Sequence, residues 1–244
     1  MLMRLSRRLK KAIHLFRHPV YRAGLRRGIG AAVEHEDALR PLDLASLIDV
    51  GANKGQFSLL AKALFPKVVI HAFEPLRAES ERFLRLFRDD TDIILHKAAL
   101  GEHTSTAAIN LSGRRDSSSL LPITSRQEKL FPGTGAIGTQ TISVVRGDDI
   151  LSGIDLPRPL MVKLDVQGFE LSALRGLRST LERADYVYAE ISFVELYLGQ
   201  ALADEVIDFL RGLGFRFAGV YNLTTGLTGE AVQADALFVR ANLL

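Results

Sequence analysis

Apolar residues along the chain form two kinds of pattern, which predict strands and helices in regular succession. Short apolar runs of the length of buried strands occur at residues 47–50, 68–73, 93–96, 160–165 and 186–191. Apolar residues at helical spacing lie between them, at residues 57–65, 77–88, 171–181 and 204–211. Because strands alternate with helices, we expect an α/β fold with a parallel sheet and right-handed crossovers. Two further runs, at 215–220 and 236–240, predict the last strands.

The alternation is interrupted in the middle of the chain. Residues 106–111 and 141–145 predict an inserted antiparallel strand pair, separated by about thirty residues rich in Ser, Gly, Thr and Pro. Loops of this length without secondary structure are often functional lids, so we expect a mobile segment here. Ser118 and Ser119 are candidate hydrogen-bond donors to a polar substrate. A solvated serine tract explains the same residues equally well.

Basic residues are concentrated at the N-terminus. Residues 1–33 contain nine Lys and Arg residues and no acid, although the whole chain has a net charge of only +3. Apolar residues recur at helical spacing from Leu2 to Phe16, which predicts a basic amphipathic helix that ends before Pro19. We therefore divide the chain into an N-terminal helical arm, 1–40, and a main domain, 41–244. The arm either docks on the body or a second copy, or lies on an anionic membrane surface.

Composition and charge exclude several functions. The chain has no cysteine, which rules out disulfides and thiolate metal ligands. No His, Asp or Glu cluster has metal-ligand spacing, so no metal is expected. Because the chain beyond the arm is net acidic, we expect no nucleic-acid partner. No apolar run approaches the ~18 residues of a membrane span. We expect a cytoplasmic protein, with the arm as its one candidate for peripheral membrane contact or homodimer formation.

A glycine turn follows the first predicted strand. Gly51 and Gly55 bracket Ala52 and Asn53, and a helix begins directly after them. Glycines allow backbone to approach a ligand closely, and a helix N-terminus offers unpaired N–H groups. These four residues are therefore candidate cofactor contacts. The spacing differs from G-x-G-x-x-G, which argues against a dinucleotide.

Carboxylates near this turn indicate the kind of cofactor. Asp49 precedes the turn and suits an ammonium or sulfonium group, although it could instead cap a purely structural turn. Glu74 ends the second strand, where a carboxylate can accept hydrogen bonds from both hydroxyls of a ribose. Ala99, after the third strand, leaves room for an adenine. Together these features outline S-adenosylmethionine.

Several motifs occur in an order that resembles the FkbM family of methyltransferases. The motifs are Ile48-Asp49-Val50-Gly51-Ala52-Asn53-Lys54-Gly55, Ala72-Phe73-Glu74-Pro75, Ala99-Leu100-Gly101, Ser117-Ser118-Ser119, Lys163-Leu164-Asp165-Val166-Gln167-Gly168-Phe169-Glu170 and Asp235-Ala236-Leu237-Phe238. The resemblance implies a seven-stranded Rossmann-like fold with helices on both faces, characteristic of class I methyltransferases. It also implies S-adenosylmethionine as the methyl donor and O-methylation of a saccharide, glycolipid or secondary-metabolite hydroxyl. The alternatives are an NAD-dependent oxidoreductase or epimerase, and a non-catalytic Rossmann-like binding module.

Methyl transfer to a hydroxyl suggests candidate catalytic residues. An alcohol is a poor nucleophile while protonated, so a general base within hydrogen-bond reach would help. Asp165, at the end of its strand, is the first candidate and Glu190 the second. Asp165 could instead anchor the ammonium group of the cofactor. Lys163, two residues away on the same face, could hold the Asp165 carboxylate.

Overall fold

A computed structural model describes residues 15, 16 and 18–243, which form two β-sheets. Their strands are β1 (Ser46–Val50), β2 (Val69–Phe73), β3 (Ile93–His96), β4 (Ala99–Leu100), β5 (Ser105–Ser112), β6 (Ala136–Val145), β7 (Leu160–Leu164), β8 (Tyr186–Ser192), β9 (Phe215–Thr225) and β10 (Ala231–Arg240). The larger sheet has seven strands in the order β3-β2-β1-β7-β8-β10-β9. The first five of these are parallel, and β10 lies antiparallel to both β8 and β9. The predicted seven-stranded α/β fold is confirmed.

Helices cover both faces of this sheet. They are α1 (Pro19–Arg26), α2 (Glu36–Leu39), α3 (Gln56–Leu64), α4 (Arg77–Leu86), α5 (Ser125–Leu130), α6 (Gly147–Leu151), α7 (Glu170–Arg175), α8 (Arg178–Arg183) and α9 (Ala203–Gly212). Successive residues of β1 point to opposite faces, so Ile48 joins one core with α7, α8 and α9, and Leu47 joins the other with α3 and α4. The single helix expected over 171–181 is two helices. Gly176 lies at the break, where a side chain would overlap the backbone of Gly101.

The smaller sheet, in the order β4-β6-β5, contains the inserted strands. β5 and β6 pair antiparallel as predicted. The segment between them has secondary structure, which the sequence did not predict, and its mobility stays a prediction. Residues 115–117 form a 3₁₀ turn, α5 follows, and Ile123 forms a β-bridge with Tyr197. Apolar residues of this segment, including Phe131, are partly buried against Leu196 and Tyr197, which packs the segment on the main domain.

The described part of the N-terminal arm packs on the sheet. Tyr21 and Leu39 are buried in the same core as Leu47. Pro19 is the first residue of α1, a position where its missing N–H costs nothing. The amphipathic helix predicted from Leu2 onward lies outside the described residues, apart from Leu15 and Phe16, and the division at residue 40 stays a prediction. Among the described helices, none is long and apolar enough to cross a membrane.

Candidate active site

A cavity of about 400 Å³ opens at the carboxyl ends of β1, β2 and β7. This is the edge where parallel α/β sheets bind ligands, and the volume is within the range of small-molecule sites. Four segments of chain provide most of its wall. They are residues 28–35, the stretch 50–57 after β1, residues 73–76 after β2, and residues 163–169 at the end of β7, joined by Ala99, Leu100, Ile109, Arg115, Asp116 and residues 118–120.

The glycine turn after β1 lines part of this cavity. Gly51 has a φ of +77°, and a Cβ there would overlap the carbonyl oxygen of Asp165 on the neighbouring strand end. Ala52 and Asn53 also line the cavity, with Asn53 in a left-handed conformation at φ +50°. Gly55, at φ +93°, does not line it. Its missing side chain makes room for Phe83 and Phe87, so its predicted ligand contact is corrected to a packing role.

Glu74 holds this turn and also lines the cavity. Its carboxylate accepts hydrogen bonds from the backbone N–H of Asn53 at 2.9 Å and of Leu76 at 2.8 Å. The side chain is only 5% exposed, and burial raises its pKa to about 7. Each carboxylate oxygen has further lone pairs, so Glu74 retains the capacity to accept hydroxyl hydrogens from a ligand.

Asp49 lies behind the cavity wall rather than on it. Its carboxylate is fully buried, accepts a hydrogen bond from Ser58 Oγ at 2.7 Å, and lies 3.2 Å from Lys163 Nζ. The predicted direct contact of Asp49 with a cationic ligand is therefore corrected, because this carboxylate is inaccessible and does not line the cavity. Lys163 lines the cavity in its place.

Lys163 has a different partner from the predicted one. It pairs with Asp49 and donates to the Gly51 carbonyl at 3.1 Å, rather than holding the Asp165 carboxylate by direct contact. Burial by itself disfavours the ammonium, but the carboxylates of Asp49 and Asp165 outweigh it and raise the pKa of Lys163. The cavity therefore has a permanent cation beside the glycine turn.

Asp165 and Glu190, the two candidate bases, have different environments. Asp165 lines the cavity and accepts a hydrogen bond from Gln167 Nε2 at 2.7 Å. Glu190 does not line it, and accepts from Gln167 Nε2 at 3.1 Å and Gln233 Nε2 at 2.8 Å. Burial, followed by the nearby acids, raises the pKa of Glu190 well above its ordinary value. Because Glu190 does not line the cavity and both of its hydrogen bonds are to glutamine side chains, the structure does not bring it to a substrate, and the Glu190 prediction is corrected.

Ser118, Ser119 and Ala99 all reach the cavity wall, as expected. Both serine hydroxyls are nevertheless used within the protein. Ser119 Oγ donates to the Gln167 carbonyl at 2.6 Å and accepts from Leu121 N–H, and Ser118 Oγ accepts from Ser112 N–H. The bond to Gln167 fastens the inserted segment to the turn that follows Asp165, and the other two lie within the segment.

Residues 28–35 are the part of the site that sequence patterns did not indicate. Ala32 N–H donates to the Gln56 carbonyl at 3.1 Å, which fixes this segment beside the start of α3. His35 then lies on the cavity wall, against Phe57 and Tyr188. Four small residues among the five from Gly28 to Ala32 were the one available signal. In the described part of the chain, no group of three or more His, Asp or Glu side chains is arranged to hold a metal ion.

Comparison with known proteins agrees with this geometry. The Methyltransferase FkbM domain matches residues 49–217, which is most of the chain. The chain therefore belongs to the FkbM methyltransferase family, and the resemblance seen in its motifs is confirmed. Family membership also confirms the predicted class, an S-adenosylmethionine-dependent methyltransferase with a Rossmann-like fold.

Three relatives show the range of the similarity. The 31-O-demethyl-FK506 methyltransferase FkbM of Streptomyces tacrolimicus is 29% identical, over 75% of this chain and 76% of that protein. The 2-O-methyltransferase NoeI of Sinorhizobium fredii is 25% identical, over 95% and 93%. The hexuronic acid methyltransferase AglP of Haloferax volcanii is 37% identical, but over only 22% of this chain and 23% of its own length.

Proposed function

We propose that this protein transfers the methyl group of S-adenosylmethionine to a hydroxyl of a saccharide, glycolipid or secondary metabolite. The observation that carries the proposal is the Glu74 carboxylate, which is buried beside the glycine turn and still lines the cavity. That arrangement matches the ribose of an adenosyl ligand, since paired hydroxyls need an acceptor fixed next to a backbone that can approach closely.

The wall offers a complementary group for each part of this cofactor. Glu74 would accept hydrogen bonds from the ribose hydroxyls, and Ala99 would pack against the adenine. Lys163 is the cation for the amino-acid carboxylate, and the Asp165 carboxylate is the partner for the ammonium group. Gly51, Ala52 and Asn53 would present backbone to the same end. Asp165 is thus assigned to anchoring rather than to proton removal.

The cofactor, when bound, supplies a methyl group already activated by the sulfonium charge. The protein must therefore mainly align the acceptor oxygen and receive its proton. Glu74 and Lys163 are themselves almost inaccessible to solvent, and Ala52 and Leu100 beside them give the wall apolar parts. In such low-polarity surroundings the interactions of Glu74 and Lys163 with charged and polar groups are stronger than in water.

The acceptor would enter at the rim formed by residues 28–35 and 115–120. This rim has polar and charged side chains, among them Glu34, His35, Arg115 and Asp116. A polar rim suits a hydroxyl-rich acceptor. The names of the relatives support this class: two describe O-methylation and one a hexuronic acid. Peripheral membrane contact and a homodimer remain predictions about the basic arm.

Calorimetry tests the cofactor. We expect S-adenosylmethionine and S-adenosylhomocysteine to bind, and NAD not to bind. Binding of NAD alone would instead favour the oxidoreductase alternative. Absence of binding by any of the three would favour a non-catalytic module.

Labelled-methyl transfer tests the acceptor. Radiolabelled S-adenosylmethionine is incubated with the protein and a glycan and metabolite extract of producing cells from which the gene has been deleted. We expect label in a product that mass spectrometry and glycosidase or alkaline treatment identify as an O-methyl ether. Label on nitrogen, or cofactor binding without any transfer, would contradict the proposal.

A further inference from the structure

His35 lies on the cavity wall outside the cofactor contacts assigned above. It ends the 3₁₀ turn Val33–His35, and the ring stands edge-on to Phe57 and Tyr188, with centroid separations of 5.5 and 5.6 Å. These two aromatic contacts come from separate chain segments, α3 and β8, and restrict rotation of the imidazole. Its side chain keeps 19% of its surface exposed.

One ring nitrogen of His35 is held by polar groups from three strands. Nδ1 lies 3.0 Å from the Tyr188 hydroxyl, 3.1 Å from Asn222 Nδ2 and 3.3 Å from Asp235 Oδ2. Asn222 also donates to Asp235 at 2.8 Å. The Tyr188 hydroxyl also hydrogen-bonds the Asp235 carboxylate, which has no hydrogen of its own, so the hydroxyl hydrogen points to Asp235 and the hydroxyl oxygen accepts from Nδ1. Since Asn222 Nδ2 donates to the same carboxylate, this network favours the tautomer with its hydrogen on Nδ1.

The other nitrogen, Nε2, has no hydrogen-bond partner within residues 15, 16 and 18–243. In the tautomer favoured by Asp235, Nε2 carries an available lone pair on a residue that lines the cavity. A carboxylate orienting a histidine through Nδ1 while Nε2 accepts a proton is an established arrangement for general-base catalysis.

We propose that His35 Nε2 is the general base that receives the proton of the acceptor hydroxyl. This inference rests on the proposed function. As the acceptor oxygen forms its bond to the methyl carbon, the carbon–sulfur bond breaks and its electron pair stays on sulfur, giving S-adenosylhomocysteine. The hydroxyl proton passes to Nε2, and the imidazolium later releases it to water. Tyr188, Asn222 and Asp235 are positioning residues for this step.

The charges around His35 are consistent with the role. Asp235 lies beside His35, and Glu34 is adjacent on the same turn. Lys163 Nζ, paired with Asp49, is 5.5 Å from the centre of the Phe57 ring that His35 also contacts. Burial raises the pKa of Tyr188, so its hydroxyl keeps its hydrogen and remains a neutral partner. Asp165 is already paired with Gln167 and is assigned to the cofactor.

Nitrogen-15 NMR of the imidazoles tests the arrangement without any acceptor. Long-range proton–nitrogen correlation spectra of wild-type protein, assigned with His35→Gln, report which ring nitrogen carries the hydrogen. We expect the Nδ1–H tautomer at high pH, and a shift toward Nε2–H in Asp235→Asn. A predominant Nε2–H tautomer in the wild type would overturn the proposal.

Kinetics then test the catalytic role in the labelled-methyl assay. His35→Gln should lower turnover at saturating cofactor about 10²- to 10⁴-fold, the usual range for loss of a general base, with the cofactor Kd within threefold of wild type. The retained Kd shows that the variant is folded. His103→Gln, on an exposed loop, is the matched control and should not change turnover. Turnover of His35→Gln within threefold of wild type would overturn the proposal.

The two assignments fail in different ways. If the wild-type protein binds S-adenosylmethionine and transfers no label, the proposed function is wrong whatever the NMR shows. If it transfers label and His35→Gln transfers it equally fast, only the role of His35 is wrong.

Discussion

Two turns at the same edge of the sheet have similar backbone conformations and are each bound by a glutamate, but only one of these glutamates lines the cavity. The turn after β1 contains Asn53 at φ +50°, and the turn after β7 contains Gln167 at φ +56°. A buried glutamate accepts two backbone hydrogen bonds at each of them, although for Glu74 only the Asn53 N–H belongs to the turn after β1, and the Leu76 N–H follows β2. Glu74 accepts from Asn53 and Leu76, and Glu170 accepts from Val166 and Gly168. Burial raises the pKa of both glutamates to about 7.

Only the first of these glutamates lines the cavity. Glu170 is equally buried, at 5% exposure, but its carboxylate serves the turn alone. A buried glutamate with a raised pKa is therefore not evidence of a ligand contact here. Glu74 differs from Glu170 because its carboxylate reaches the cavity. Variants at the two positions should therefore distinguish a glutamate that only stabilises its turn from one that also binds a ligand.

Gly51→Ala should have the largest effect. The added Cβ would overlap the carbonyl oxygen of Asp165, a backbone atom that can move away only if β1 and β7 separate. The positive φ of residue 51 would in addition strain any residue that has a side chain. We expect a loss of about 3–5 kcal/mol in the free energy of unfolding and no measurable cofactor binding. Urea unfolding and calorimetry measure the two.

Gly153→Ala is the control for this change. Gly153 has a similar φ of +74°, but a Cβ added there would have no atom within 4 Å, so only backbone strain of about 1–2 kcal/mol applies. Equal losses in the two variants would show that the contact between the turn after β1 and the turn after β7 is unimportant.

The paired variants Glu74→Gln and Glu170→Gln test the comparison directly. At pH 8, Glu74→Gln should weaken cofactor binding by about 2–3 kcal/mol, or roughly 30- to 150-fold, because hydrogen bonds to a charged acceptor are lost. Glu170→Gln should leave the Kd within threefold and lower stability by about 1 kcal/mol. An unchanged Kd in Glu74→Gln would remove the ribose contact from the site.

The place of the proposed cofactor contacts was largely predictable from sequence. Apolar runs followed by turns put Gly51, Glu74 and Asp165 directly after β1, β2 and β7, and the sheet order then brings these strand ends together. Ala99 follows β3 as expected, begins β4 of the smaller sheet and reaches the same cavity. Orientation was harder. Asp49 and Glu190 also lie near strand ends, but the first points to Lys163 behind the wall and the second to Gln167 and Gln233.

The proposed acceptor side was not predictable, because tertiary packing alone creates it. His35 approaches Asn222, which is 187 residues away along the chain, and Asp235 on the next strand, through the docking of residues 18–40 on the sheet. No periodicity encodes that contact. The inserted segment is similar, since Tyr197 and Gln167 order it from other parts of the sequence.

Stability should depend on pH through both glutamates. The pKa of each rises from 4.5 to about 7 on folding, so the folded protein retains protons that the unfolded chain releases between these values. The stabilisation is complete below pH 4.5 and is lost as the pH rises through 7. For each group the free energy of unfolding falls by up to about 1.4 kcal/mol per pH unit in this interval.

Urea unfolding of the unliganded protein at intervals from pH 4.5 to 8 checks this slope. Differences between wild type and each glutamine variant isolate one group, because other titrations cancel. In each variant the free energy of unfolding should decline less steeply with pH, and by a similar amount, since both glutamates have the same raised pKa. Added cofactor should change only the contribution of Glu74. Parallel curves for wild type and variants would contradict the raised pKa values.

Ser119→Ala should have a small effect, on stability rather than on ligand binding. Its hydroxyl is buried and joins the inserted segment to the turn after β7, by donating to the Gln167 carbonyl and accepting from Leu121 N–H. Loss of these bonds should lower stability by about 1–2 kcal/mol, and Ser118→Ala, whose hydroxyl is less buried, should lower it less. Because the Ser119 hydroxyl is used within the protein, the KM for the acceptor should change by less than threefold. A larger rise in KM at unchanged stability would instead restore Ser119 as a substrate contact. The inserted segment would then belong, like Glu74, to the parts of the molecule that bind a ligand.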